Sequence, residues 1–261
     1  MALADLLARF YDKVFIGLYM SGRRLHVGAV HLASGGDVRM QERVFAEGLG
    51  EDALLFLQEL AEQTPYNYIA AFTDSGACGA LPTCSLSKAK EMAPSVERSR
   101  TVCVTEEWMN YCDEEILAGL QEQYAAVEPD ALYNPFALLH AFFETAMAGT
   151  HALYLLVTPA GMSLAVVKER HLRFAEQFSR DTDTSSAQLV EYITVSLEGY
   201  YGKPCCRGEF IEAVHIVDGT GMGEALAKAL EAALLVESEA YTFDPALLCA
   251  QACMKEQGYA L

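Results

Sequence analysis

The sequence has no stretch of about 18 residues that is both apolar and free of charge, so nothing in it reads as a membrane-spanning helix. Its opening, MALADLLARFYDKVF, has no basic leader region, and charges interrupt its apolar runs. It therefore does not read as a secretory signal. Basic residues are scarce: 18 Lys and Arg stand against 36 Asp and Glu, a formal charge of −18. That field repels phosphate backbones and anionic headgroups, which sets aside nucleic acid and lipid surfaces as direct partners. The eight cysteines, at 78, 84, 103, 112, 205, 206, 249 and 253, include no C-x2-C pair. None stands near a His pair at zinc spacing, and no metal is expected. Without a signal sequence, all eight are expected to be free thiols in a reducing compartment. Cys249 and Cys253, one helical turn apart, suit a buried helix face. G-x-S-x-G is absent, and so is any low-complexity or coiled-coil segment.

What is present is ample apolar material. Hydrophobic residues make up 52% of 261, enough for one large core or two modest ones. The most informative stretch runs from Ala152 to Gly223. ALYLLVTPAG, MSLAVVKER and HLRFAEQFSR read as three strands joined by turns at PAGM and KERH. In DTDTSSAQLVEYITVSLEGYYGK, Leu189, Ile193, Leu197 and Tyr200 recur at helical spacing. FIEAVHIVDG then reads as a buried strand, and DGTGMGEAL as a glycine-rich turn opening a helix. The same order appears earlier. KVFIGLYM, RLHVGAVHLA and DVRMQERVFA are strands, EDALLFLQELAEQT is a helix buried through Leu54, Leu57 and Leu60, and NYIAAFT is a strand. Residues 13–73 and 152–218 thus share one pattern of elements, an internal duplication. The predicted fold is α/β: a duplicated ribonuclease-H-like (actin-like ATPase) fold with two mixed five-stranded sheets flanked by helices.

The expected domains are 1–149, carrying a loop-rich insertion at 74–112, and 150–261. Ala148-Gly149-Thr150 marks the boundary. Residues 1–11 read as a short helical turn. RTVCVTEE reads as a strand, and WMNYCDEEILAGLQEQYAAV as a helix with Ile116, Leu120 and Tyr124 on one face. A second apolar helix starts near Pro135 and buries Phe136, Leu139, Phe143 and Met147. EALAKALEAALL is a helix and VESEAYTF a strand. The last helix, 244–259, opens with Asp244 as cap and Pro245 at its first position and packs back toward the first domain. The six histidines are scattered, and those inside strands read as satisfied by neighbours. The acidic clusters Glu106-Glu107 and Asp113-Glu114-Glu115 read as a solvated helix start.

Four stretches carry a family resemblance: the FIGLYMSG opening, the strand run ending FAEQFSR, the helix ending SLEGYYG, and VHIVDGTGMGEAL. Through them the chain resembles actin-like pilus and secretion assembly proteins of the PilM type and the cytoplasmic domain of GspL. In an active actin-like ATPase, an acid at the end of the first strand of each unit organises Mg²⁺ and the attacking water, and small residues let backbone N–H groups approach phosphate. Here the first loop, GLYMSGRR, offers Ser21 and Gly22 but no Asp. Asp12 precedes the strand. The second loop, LVTPAGMS, offers Thr158 and Gly161 without a carboxylate, and Pro159 removes a donor. In the third loop, Gly219, Thr220 and Gly221 are candidates for a retained nucleotide contact, although Asp218 stands where the family has glycine. Three readings of DGTGMG stay open: a tight turn needing positive φ, a nucleotide contact, or a contact to another ligand or peptide.

The resemblance implies a non-catalytic scaffold or adaptor, cytoplasmic and peripheral to the inner membrane. It would bind an inner-membrane partner of a type IV pilus, type II secretion or DNA-uptake machine through a short basic or apolar tail. No cofactor is expected beyond weak ATP and Mg²⁺. A homodimer is a further expectation. Leu81, Tyr133 and Phe136 are the expected lining of the partner groove. The alternatives are a degenerate ATP-binding protein or small-molecule kinase of the same superfamily, and a globular protein of unrelated function.

Overall fold

A computed structural model describes residues 11–181, 184–203, 206 and 208–259. The expected helical turn over 1–11 lies outside the described residues apart from Tyr11, as does Cys205. In chain order, strands β1 (Lys13–Ser21), β2 (Arg24–Leu32) and β3 (Val38–Phe45) precede helix α1 (Glu51–Glu62) and strand β4 (Tyr66–Phe72). Strand β5 (Cys78–Leu81), helix α2 (Leu86–Met92), a 3-10 turn at Pro94–Arg98, strands β6 (Ser99–Thr105) and β7 (Trp108–Asp113), and helix α3 (Glu114–Gln123) follow. Strand β8 (Ala131–Tyr133) and helix α4 (Pro135–Phe143) lead to β9 (His151–Val157), β10 (Gly161–Lys168) and β11 (His171–Ser179). Helix α5 (Ser186–Tyr201), β12 (Ala213–Asp218), α6 (Gly223–Leu234), β13 (Glu237–Thr242) and α7 (Pro245–Glu256) complete the chain.

Two compact units result. Among the described residues, 11–73, 118–133 and 244–259 form the first; 74–117 and 134–243 form the second. This differs from a single cut at residue 149, because the 74–117 segment and the start of α4 cluster with the second sheet. Asn134 illustrates the tie: its amide donates to the Gly79 carbonyl at 3.1 Å.

The first unit holds a sheet in the order β3-β2-β1-β4-β8. Strands β1, β2 and β3 form an antiparallel meander, and β4 and β8 add in parallel. Strand β1 is apolar almost throughout because both its faces are covered. Val14, Ile16 and Leu18 join Leu57 and Leu60 of α1 and Tyr124 in one core. Leu54 of α1, expected on the buried side, is only half-buried, with Ala53 taking that place. Edge strand β3 keeps charged residues outward, which discourages edge-to-edge pairing. On the other face, α7 lies across the sheet with its ten residues Pro245–Met254 buried. Gly17 and Gly28, paired across β1 and β2, make room for it: a Cβ at either would overlap the backbone of Ala246 or Leu247. Asp244 caps the helix from Ala246 N at 2.8 Å and holds His26 Nδ1, also at 2.8 Å.

The second unit repeats the plan in the order β11-β10-β9-β12-β13, with the same senses of pairing. Leu153, Leu155 and Val157 pack under Leu189, Ile193 and Leu197 of α5 and Leu226 and Leu230 of α6. A capping box between Ser185 and Gln188 starts α5. A small antiparallel sheet, β5-β7-β6, completes the unit. Residues 108–113, expected to begin a helix, form its middle strand. Trp108 and Asn110 share a face, and the indole N–H donates to Asn110 Oδ1 at 2.9 Å. Two-residue spacing and pairing to strands on both sides override the helical reading.

This small sheet also corrects the thiol expectation. Cys78 of β5 and Cys112 of β7 stand opposite each other and form a disulfide. Cys84 and Cys103 form a second. Cys249 and Cys253 keep free thiols on the buried face of α7, where burial pushes both up, Cys253 to about 12. Among the described residues no helix is long and apolar enough to cross a membrane.

Candidate functional site

At the carboxyl ends of the central parallel strands of the second unit, Asp218 of β12 sits beside Val157 of β9. The amide of Gly219 donates to the Val157 carbonyl at 2.9 Å, which holds the β9–β10 turn against the β12–α6 loop. Loops outside the carboxyl ends of parallel strands are where α/β sheets build ligand sites.

Asp218 is 1% exposed. Its Oδ1 accepts from the Thr220 amide at 2.9 Å and the Thr220 hydroxyl at 2.7 Å. Its Oδ2 accepts from the Gly223 amide, the first residue of α6, at 2.7 Å. A carboxylate there satisfies donors at a helix start and meets the positive end of its dipole. Gly221 takes φ +83°, and a Cβ at Gly223 would press on the Asp218 side chain. DGTGMG is therefore a self-capped turn whose glycines serve backbone geometry. A phosphate approaching α6 would meet a buried carboxylate and donors already engaged.

The β9–β10 turn is closed in a similar way. Thr158 is 2% exposed, and its hydroxyl donates to Asp74 Oδ2 at 2.7 Å. Asp74 follows β4 and offers its carbonyl to Gln177 Nε2 at 2.8 Å. Arg180, at the end of β11, donates to the Thr158 carbonyl at 3.3 Å and points its other terminal nitrogen at Met222 Sδ, 2.9 Å away. One guanidinium thus ties the two loops together. Gln177 Oε1 and Arg180 Nε are buried with no hydrogen-bond partner among the described residues. Sequence reasoning missed Asp74, Gln177 and Arg180. The available signal for Asp74 is an acid directly after the fourth strand, whereas Gln177 and Arg180 carry no local signal.

The sequence-derived candidates are partly brought together. Gly219, Thr220 and Gly221 form the loop just described. Ser21 and Gly22 belong to the first unit, where they make the β1–β2 hairpin turn with Gly22 at φ +61°. Leu81, Tyr133 and Phe136 are not groove lining: they are 9%, 6% and 0% exposed. Leu81 packs with Ala89, Val96 and Met109 in the second unit. Phe136 sits among the buried residues of α4. Tyr133, in the first unit, gives its hydroxyl to the Glu256 carboxylate, and burial with that bond pushes the phenol well up. Apolar side chains that fill a core and those that line a groove look alike in sequence, and here they fill cores. Among the described residues no group of three His, Cys, Asp or Glu is placed to hold a metal ion.

Comparison with solved structures identifies an actin-like ATPase fold. A Bacteroides thetaiotaomicron protein with actin-like ATPase fold and unknown function matches with TM-score 0.58 and 12% identity, covering 98% of this chain and 99% of that one. The PilM–PilN type IV pilus biogenesis complex matches with TM-score 0.58 and 14% identity, over 92% and 97%. The ethanolamine utilization protein EutJ from Carboxydothermus hydrogenoformans matches with TM-score 0.50 and 9% identity, over 92% and 88%. No curated protein matches the sequence. A family model described as Domain of unknown function (DUF8341) matches residues 176–257. A second model spans residues 10–140, half of the chain, and by that match the protein belongs to the family described as Domain of unknown function (DUF8569).

Proposed function

We propose that this chain is a non-catalytic actin-like scaffold that docks an inner-membrane protein of a type IV pilus, type II secretion or DNA-uptake machine. The observation that carries the reading is the internal carboxylate of Asp218, which engages Thr220 and Gly223 where an actin-like ATPase would receive its nucleotide. Support for the pilus or secretion setting comes from the likeness to PilM in its complex with PilN. That likeness rests on fold, and function has to be argued from the site.

One observation favours a degenerate nucleotide-binding protein instead: Arg180 Nε is buried without a partner among the described residues, beside both loops. Calorimetry separates the two. The scaffold reading expects no saturable heat with Mg²⁺-ATP up to millimolar concentration. A micromolar dissociation constant that disappears in Gly221→Val overturns it. The partner is sought by co-purification with basic-tailed inner-membrane proteins encoded beside this gene. Failure of all of them to bind the intact protein counts against the adaptor role.

A further inference from the structure

Helix α5 has an apolar side left over after its core face is used. Leu189, Ile193 and Leu197 are buried against the sheet, yet Tyr192 and Val195 are 45% and 61% exposed. Between that side and the edge strand β11 runs a groove of about 600 Å³. Phe174 and Phe178 line it from the strand, Tyr192 and Val195 from the helix. The Phe178 and Tyr192 rings stack with centroids 5.5 Å apart and planes 19° apart, a rigid wall that loses little freedom on contact. The groove is open over Gly199, where a Cβ would meet nothing within 4 Å. The volume suits a few inserted side chains.

The polar lining sets the sign of the occupant. Glu176 and Glu191 both line the groove, and among the described residues neither takes part in an ion pair. Glu176 accepts from a neutral donor, the Ser196 hydroxyl at 2.7 Å. Lys203, the basic residue in the lining, holds its ammonium 4.4 Å from the centre of the Phe174 ring. The groove therefore uses an aromatic face to hold a cation of its own chain. The remaining carboxylates lie in a chain of formal charge −18.

We propose that the β11–α5 groove docks a short basic segment of a partner protein. An apolar side chain enters beside Tyr192 and Val195, flanking Lys or Arg residues meet Glu176 and Glu191, and one cation competes with Lys203 for Phe174. Burial gives such a contact its strength, and the charges give it register and association rate. The site is independent of the scaffold reading, because an ATP-binding chain would keep the same groove.

The test is fluorescence polarisation on the full chain with a panel of fluorescein-labelled peptides that alternate Lys or Arg with Phe or Leu. Matched peptides carrying Glu in place of the bases are the control. Saturable binding of basic peptides is expected, weakened at least ten-fold by Val195→Asp and by Glu191→Lys. Val102→Asp, on the exposed face of β6, should leave it unchanged. Val195 and Glu191 are exposed, so both variants should melt as the parent does. Non-specific attraction to an acidic protein would strengthen in Val195→Asp rather than weaken. Absence of saturable binding, equal binding of the acidic peptides, or indifference to both groove variants overturns the proposal. So does a dimer in sedimentation that Val195→Asp dissolves, which would assign the groove to a second copy of the chain.

Discussion

Replacing Asp218 by Ala tests the self-capped turn directly. The carboxylate holds three donors: the amide and hydroxyl of Thr220 and the amide of Gly223. Losing a helix cap costs about 0.5–2 kcal/mol. Each buried donor left without a partner adds roughly 1–3 kcal/mol. The Thr220 hydroxyl can turn elsewhere, and removing a desolvated carboxylate returns part of the loss. The net destabilisation should be about 2–4 kcal/mol, or a fall in Tm of about 4–16 °C. Asp218→Asn keeps an acceptor for Thr220 but turns an amide toward the Gly223 donor, and should fall about midway. The lone tryptophan, Trp108, is fully buried in the same unit, so its fluorescence reports the relevant transition in urea. The variant also vacates a helix start, which attracts anions. Millimolar sulfate or ATP should therefore raise the midpoint of Asp218→Ala more than that of the parent. The reasoning fails if the variant lies within about 0.5 kcal/mol of the parent. It also fails if ATP stabilises the parent as strongly as the variant.

Three other outcomes follow from the packing. Gly28→Ala should destabilise the first unit by about 3 kcal/mol or more, since the added carbon meets helix backbone that cannot yield, while Gly35→Ala should be neutral; hydrogen exchange of the β1 amides measures both. Non-reducing peptide mapping should recover Cys78 linked to Cys112 and Cys84 linked to Cys103, and reduction should lower stability by roughly 3–4 kcal/mol per bridge from the closed-loop lengths of 34 and 19 residues. Recovery of four free thiols refutes both pairings. His215 is half-buried against Tyr154 and Phe143, and desolvation holds its pKa down while Glu239 at 3.6 Å and Glu237 oppose this. The unfolded chain then binds the extra proton first, so this contribution is full above about pH 6.5 and is lost as pH falls through the lowered folded value. His215→Phe should flatten the acid side of the stability profile, and an unchanged slope would contradict the assignment.

The doubled sheet was legible because each strand is an apolar run bounded by turn residues, and because the same sequence of elements occurs twice. Helix α5 was legible from four residues, Leu189 to Tyr200, that are all buried in the structure. Strand β7 was not, because WMNYC is short, apolar and contiguous with the helical DEEILAGL. Only its two strand neighbours decide its conformation. The cysteine pairs escaped for a related reason: Cys78 and Cys112 meet through strand pairing across a long loop, which no local spacing encodes. The self-capping of DGTGMG was half visible. The glycines announced a turn, but the three donors on Asp218 depend on where α6 begins. Asp74 and Arg180 lie far apart in sequence, and Thr158 joins them only once β9 stands between β10 and β12.

The seat that Gly17 and Gly28 make for α7 also has a consequence for biosynthesis. Strands β1 to β4 leave the ribosome well before the helix that covers one face of their sheet. At about 5–20 residues per second the intervening chain takes roughly 10–40 s to synthesise. During that interval the side of β1 carrying Phe15 and Tyr19 lacks its lid. The second unit, whose sheet and helices all lie between residues 74 and 243, can close before the first is complete. The second unit can thus close while one apolar face of the first sheet still waits for α7.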